Sequence, residues 1–172
     1  LHAIDVVITE FSGRRIERIA RVLLAVIRVG VYELVYNPAS PSYSIVNEAV
    51  NTVKHLGGRK QVGFVNAVLR NLVRSIEGSF GMDGPFSPGA KILKTAPGRA
   101  VRFDRGLFPD PAADPAGYLS VTGGMPRWLT ARWWKRFGGE TAAGLVDAAN
   151  STPPVTLRVN PLKTTAENLI RE

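Results

Sequence analysis

The segments Ser44–Lys54 (SIVNEAVNTVK) and Gly63–Arg74 (GFVNAVLRNLVR) repeat apolar residues at steps of three and four positions. This spacing is typical of amphipathic α-helices that pack on a common core. Between them, Gly57-Gly58 favours the left-handed conformation that ends a helix. We therefore predict one helix over residues 42–56 and a second over residues 59–77. The residues predicted to face the core are Ile45, Ala49, Val53, Leu56, Val62, Val65, Leu69, Leu72, Val73 and Ile76.

Two more helices are predicted ahead of this pair. Residues 3–11 form a short one, and Arg15–Tyr36 forms a long one whose apolar surface covers more than half its circumference. So broad an apolar surface indicates a helix packed on several sides, at the centre of a bundle. Asn37-Pro38 ends it, because proline lacks the N–H donor and disfavours a helical residue before it. The fold class is therefore mainly α, with a helical bundle over residues 1–77.

The composition changes after the bundle. Residues 78–117 contain seven glycines and six prolines, which no long helix tolerates. We predict a linker here, in which Lys91–Leu93 and Ala100–Phe103 pair as a small hairpin.

Regular structure is predicted again over residues 118–172. Helices are expected at Arg127–Phe137 and Glu140–Ala149, and the alternating β-branched run Val155–Val159 predicts a strand. Thr164 and Glu167 have the spacing of a capping box at the start of a last helix. This region is interpreted as a helical connector followed by the start of a small α/β element.

The composition narrows the possible functions. The 172-residue chain carries a net charge of +8 and no cysteine, which excludes disulfides and thiolate metal sites. Its two histidines cannot form a zinc site alone, no apolar run is long enough for a membrane helix, and we expect neither a metal nor a membrane partner. We expect a cytoplasmic protein. Because the chain does not begin with methionine, we expect it to start inside a longer protein.

Basic side chains recur on two predicted helices. On the long helix they fall within one stripe opposite the core, at steps of four, three and seven residues. On the last bundle helix a second stripe is bordered by a lysine. Guanidinium groups suit phosphate because they donate two parallel hydrogen bonds, so both stripes are candidates for RNA contact, although a merely solvated face would have the same pattern. The candidates are Arg14, Arg18, Arg21, Arg28, Arg59, Lys60, Arg70 and Arg74.

A third candidate surface lies on the predicted helix Arg127–Phe137 (RWLTARWWKRF). Leu129, Trp133 and Phe137 form a packing face. The opposite face could stack an RNA base on tryptophan beside phosphate contacts, while packing of that tryptophan within its own domain is the alternative. Its members are Trp128, Arg132, Lys135 and Arg136.

Residues 1–77 resemble the NusB-like RNA-binding domain, chiefly in Asn47–Val50 (NEAV) and Phe64–Arg70 (FVNAVLR). Residues 118–163, with Leu157–Asn160 (LRVN), resemble the stretch that leads into the methyltransferase part of RsmB (Sun/Fmu)-type rRNA cytosine-C5 methyltransferases. The resemblance implies binding of small-subunit rRNA for a missing methyltransferase domain of the same protein. It also implies S-adenosylmethionine as the cofactor of the full-length parent, and none in this chain.

The catalytic residues of that family have no counterpart here. The family uses a cysteine thiolate to attack the base, and the chain has no cysteine and no glycine-rich turn for the cofactor. The first hypothesis is therefore an RNA-binding front section of such an enzyme. The alternative is a stand-alone NusB-like antitermination factor that binds RNA with a ribosomal protein, and a third possibility is a helical protein-interaction module. Residues 118–172 favour the first, because a stand-alone factor has no need of them.

Overall fold

The computed structural model describes residues 1–37, 39–56, 59–81 and 87–171. Within them, four helices are followed by a small sheet and then by four further helices. The helices are α1 His2–Ser12, α2 Arg21–Tyr36, α3 Ser42–His55, α4 Val62–Ser75, α5 Pro115–Gly123, α6 Arg127–Phe137, α7 Gly139–Asn150 and α8 Ala166–Arg171. The strands are β1 Ile76–Gly81, β2 Ile92–Ala96 and β3 Arg99–Phe103, and short 3-10 helices lie at Ile16–Arg18 and Arg59–Gln61.

Helices α1 to α4 pack on one apolar core, as the sequence pattern predicts. Each contributes a stripe of buried aliphatic side chains, and α2 packs against the other three. Leu56 is an exception to the predicted core, because α3 ends at His55 and the Leu56 side chain is 59% exposed. The predicted helix end at Gly57-Gly58 lies outside the described residues.

The predicted long helix over Arg15–Tyr36 is wrong in its first turns. Residues Ile16–Arg18 form a 3-10 turn, Ile19 and Ala20 are extended, and α2 begins at Arg21. Ile19 is nevertheless buried, so the chain inserts this side chain into the core from an extended backbone. The apolar spacing could not reveal the break, because Ile16 and Ile19 continue the helical step.

Much of the stretch 78–117, predicted as a linker, packs on the bundle through a small sheet. The sheet is antiparallel with strand order β1-β3-β2, and Leu93 pairs with Val101 across β2 and β3. The predicted hairpin is thus confirmed. Leu93, Val101 and Phe103 are buried in the same core as the helices. Two short strands can bury these apolar side chains on one face of the sheet, although glycines and prolines are frequent in the stretch around them.

Helices α5, α6 and α7 pack against one another beyond the sheet. The Asp114 carboxylate caps α5 by accepting a 2.9 Å hydrogen bond from the Gly117 amide. The buried Tyr118 hydroxyl donates to the Ile92 carbonyl oxygen at 3.0 Å, which joins α5 to β2. The predicted helices Arg127–Phe137 and Glu140–Ala149 are therefore confirmed as α6 and α7, and they are tied to the preceding domain.

The last part of the chain is more open. Residues Val155–Val159 pair with no strand among the described residues, and the Val155 side chain is 90% exposed. The predicted strand is thus not formed there. The last helix begins one residue later than expected, since Thr165 rather than Thr164 accepts from an amide of α8, that of Asn168.

The described ranges contain neither a membrane-spanning helix nor a cluster of metal-binding side chains. There, no helix is long and apolar enough to cross a membrane. Nor does that part of the chain bring together three or more histidine, cysteine, aspartate or glutamate residues that could hold a metal ion.

Candidate nucleic-acid interface

The connection between α1 and α2 carries two of the candidate arginines. Arg14 lies in the turn after α1, with its guanidinium carbon 4.6 Å from the centre of the Phe64 ring on α4. This cation–π contact places Arg14 against the N-terminal half of α4. Arg18 ends the 3-10 turn and is exposed. The two residues therefore do not share a helical stripe with α2, contrary to the prediction.

Two arginines of the predicted stripe do belong to α2, and they behave differently. Arg21 is exposed at the first position of the helix and makes no ion pair in the described part of the chain. Arg28 donates from Nε and Nη2 to the two carboxylate oxygens of Asp5, each at 2.8 Å. The hydrogen bonds to Asp5 hold the pKa of Arg28 above its ordinary value. Arg28 thus joins α2 to α1, and its role as an RNA contact stays a prediction.

The second group of candidates lies at and after the start of α4. Lys60 is exposed in the 3-10 turn that precedes the helix. The side chain of Arg59, the other candidate in that turn, lies outside the described part of the structure. Arg70 and Arg74 are exposed one turn apart near the C-terminal end of α4, where both line the same groove.

That groove separates α3 from α4 and has a volume of about 290 Å³. We call it the α3–α4 groove. Its lining consists of Ser42, Tyr43, Val46, Asn47, Val50, Asn66, Arg70, Val73 and Arg74. The structure thereby brings two predicted candidates together with polar and aromatic neighbours.

Asn66 has a role that the sequence did not reveal. Its Oδ1 accepts a 2.9 Å hydrogen bond from Arg70 Nε. The side chain therefore orients Arg70 at the edge of the groove. Tyr43 and Asn47 were missed as well. A usable signal existed, because Tyr43 and Asn47 are four residues apart, as are Asn66 and Arg70, on two helices predicted to be neighbours.

The third candidate surface is the outer face of α6. Trp128 is 65% exposed, and Arg132, Lys135 and Arg136 are exposed as well. The guanidinium carbon of Arg136 lies 5.4 Å from the centre of the Phe137 ring. The exposure of Trp128 is what base stacking requires, and the described residues leave most of this ring unpacked. On the other side of α6, Thr130 is buried and Leu129 and Trp133 are half-buried, but Phe137, predicted to pack, is 46% exposed.

Two families of known proteins match separate parts of the chain. Residues 1–74 match the NusB family, and residues 125–172 match the family described as "Methyltr_RsmF/B-like, ferredoxin-like domain". No solved structure matches the chain.

Among curated relatives, the "Transcription antitermination protein NusB" of Nitratidesulfovibrio vulgaris (strain DP4) is 40% identical over 76 residues, which are 44% of this chain and 50% of that protein. The NusB of Bacillus velezensis is 41% identical over 63 residues, 37% of this chain and 48% of that protein. The "Probable ribosomal RNA small subunit methyltransferase B" of Bacillus subtilis (strain 168) is 24% identical over 168 residues.

The Bacillus subtilis alignment covers 98% of this chain but 31% of that protein. The chain likewise spans about half the length of the NusB relatives that it matches. The chain therefore carries a domain of the NusB family at residues 1–74, followed at residues 125–172 by a ferredoxin-like domain of the RsmF/B methyltransferase type.

Proposed function

We propose that this chain is the RNA-binding section of a bacterial S-adenosylmethionine-dependent 16S rRNA (cytosine-C5)-methyltransferase. In this proposal it docks small-subunit rRNA for a catalytic domain that lies outside these 172 residues. The observation that carries the proposal is the succession of the two family matches in one chain. The alignment with the Bacillus subtilis protein supports it, because that alignment runs through both domains without leaving either out.

The distribution of charge supports an RNA partner. Residues 1–77 contain ten lysines and arginines against six acidic residues, and residues 78–172 contain twelve against eight. Arg18, Arg21 and Arg74 are exposed and form no ion pair among the described residues. Exposed cations without an ion pair can neutralise RNA phosphates, and the release of the counterions bound to those phosphates drives binding. On α6, Trp128 adds an exposed ring that can stack on an unpaired base.

The residues present do not fit the cofactor or the methyl transfer itself. The described part of the chain contains one sheet, which is antiparallel, and no strand there leads through a glycine-rich turn into a helix. The sequence has no cysteine to act as the nucleophile. In the proposed function both tasks belong to the catalytic domain, and this chain contributes RNA binding.

A stand-alone antitermination factor is the second candidate function. It is favoured by the identity of about two residues in five to proteins named as such. It leaves unexplained the ferredoxin-like domain over residues 125–172. We therefore prefer the methyltransferase section.

A competition experiment separates the two candidates. Labelled small-subunit rRNA fragments bound to the purified chain are competed with unlabelled small-subunit rRNA, large-subunit rRNA or a short antitermination leader RNA. If the chain is the RNA-binding section of a methyltransferase, unlabelled small-subunit rRNA should compete best. Best competition by the leader RNA, further strengthened by a ribosomal protein, would support the antitermination factor, and equal competition by all three would remove the rRNA docking role.

A further inference from the structure

The α3–α4 groove is lined by cationic side chains and by apolar ones, a combination that suits an anionic ligand. Its apolar members are Val46, Val50 and Val73, of which Val46 is buried. Among the nine lining residues two are arginines, and none is aspartate or glutamate. A cationic groove of this kind attracts an anionic ligand, and the valines give that ligand an apolar surface to contact.

Arg70 is held in place within this groove. Its Nε donates to Asn66, so the side chain is oriented before any ligand binds. The donors of its two terminal nitrogens are not used by this bond and suit a phosphate, which the guanidinium fork binds through parallel hydrogen bonds. Arg74, one helical turn further along α4, supplies a second cation at the same edge.

On the opposite wall, α3 provides groups that suit a nucleobase. The Tyr43 side chain is 76% exposed although it lines the groove, so its ring is open to a stacking partner. Asn47, one turn later, is exposed and carries an amide that can both donate to and accept from a base edge. In a duplex the bases are already stacked on each other, so only an unpaired base can occupy such a wall.

We infer that the α3–α4 groove is a binding site for a single-stranded nucleotide of RNA. The base stacks on Tyr43, Asn47 hydrogen-bonds its edge, and Arg70 and Arg74 hold the phosphate. This inference rests on the proposed RNA-binding function and goes further, because it names unpaired RNA as the ligand and assigns Asn66 as the residue that positions Arg70.

The test uses the full 172-residue chain and a short single-stranded RNA that carries 2-aminopurine, a fluorescent adenine analogue. Stacking quenches this fluorophore, so binding should lower its emission. Tyr43→Ala should weaken binding about 10-fold, within the range for removal of one base–aromatic stack, and should abolish the quenching. Tyr43→Phe should retain both, because the ring remains. Tyr32→Ala serves as the matched control, since Tyr32 is an exposed tyrosine of α2 outside the groove.

Asn66→Ala tests the positioning role. Arg70 keeps its charge but no longer has its hydrogen-bond partner, so affinity should fall while the salt dependence of binding stays the same. The fully paired duplex of the same sequence should show neither the quenching nor the sensitivity to Tyr43→Ala.

The outcomes separate the groove from the proposed function. If the chain binds the single strand with unchanged affinity and quenching in Tyr43→Ala, the groove inference is overturned and the groove is left to a protein partner, while RNA binding stands. If the wild-type chain binds neither single-stranded nor structured RNA at low ionic strength, the proposed function itself fails.

Discussion

The guanidinium of Arg28 on α2 donates two hydrogen bonds of 2.8 Å to the carboxylate of Asp5 on α1. Each side chain keeps about a quarter to a third of its surface exposed, at 31% and 26%. A partly exposed bidentate pair is worth about 1 kcal/mol. Arg28→Ala should therefore lower the free energy of unfolding by about that amount, as measured by urea denaturation.

Arg21→Ala is the control for this pair, because Arg21 lies on the same helix without an ion pair among the described residues. Its unfolding free energy should stay within experimental error of the wild type. Equal losses in the two variants would show that the Asp5 contact does not join the helices in solution.

The close approach of α2 to α4 depends on Gly30. A Cβ at this position would lie 2.9 Å from Leu69 Cδ1, inside normal contact distance. Gly30→Val adds further methyl groups at the same place, so it should destabilise the bundle by about 1–3 kcal/mol through overpacking. Gly63→Ala is the matched control, because nothing lies within 4 Å of its added Cβ and alanine favours the helix. A gain of up to about 1 kcal/mol is expected there, and a loss in Gly63→Ala would contradict this packing.

Acid should weaken the attachment of α6 through Asp114. The Arg127 guanidinium, and after it the Gly117 amide, hold the pKa of Asp114 below its ordinary value of 3.8. The folded pKa is thus lower than the unfolded one, so the contribution is present above about pH 4 and is lost as the pH falls through the folded pKa. Asp114→Asn should melt below the wild type near neutral pH, and the gap should close in acid.

Arg127→Gln removes the other partner of this pair and should show the same pH dependence in thermal melts. A gap between variant and wild type that persists unchanged at pH 2 would rule out the Asp114 carboxylate as its origin.

Alkali should act through Tyr118, which is buried where α5 meets β2. Burial raises the pKa of Tyr118 to about 12, from an ordinary value of 10.0. Because the folded state favours the neutral phenol, its contribution is complete below pH 10 and is lost as the pH rises through about 12. Tyr118→Phe also removes the hydrogen bond to Ile92, so it should cost about 1 kcal/mol at neutral pH.

At higher pH the Tyr118→Phe variant should lose less stability than the wild type, since it has no phenol to ionise at this position. Denaturation curves recorded at neutral pH and near pH 11 check this. A constant difference between the two proteins at both pH values would mean that the phenol is not buried in solution.

The sequence predicts the bundle well because helical packing follows from local periodicity. Val65, Leu69 and Leu72 are buried where the apolar spacing places them. The same reasoning fails at Ile19, since a side chain in an extended segment can occupy a core position that the helical step also predicts. Periodicity reports which residues are buried and is less sensitive to the backbone that carries them.

The binding surface is harder to predict because it depends on contacts between elements. Arg28 and Arg21 share a predicted stripe, yet among the described residues only Arg28 meets a carboxylate, which is 23 residues away in the sequence. Likewise, the sequence predicts the hairpin, but the burial of Leu93, Val101 and Phe103 in the core of the bundle depends on contacts with the helices that composition does not encode. Predicting either would require the arrangement of the helices in advance.

The salt dependence of RNA binding shows most directly whether the exposed cations of the bundle bind rRNA phosphates. The affinity of the chain for a small-subunit rRNA fragment is measured by filter binding over a range of salt concentrations. Charge reversal at Arg18, Arg21 and Arg70 should weaken binding and reduce the slope of log affinity against log salt by about one for each phosphate that is no longer neutralised. Each reversal is also measured singly, with Arg99→Glu, an exposed arginine of β3 outside the proposed surface, as the control for an equal change in net charge. Parallel lines of equal affinity for the triple variant and the wild type would mean that these arginines do not contact rRNA phosphates.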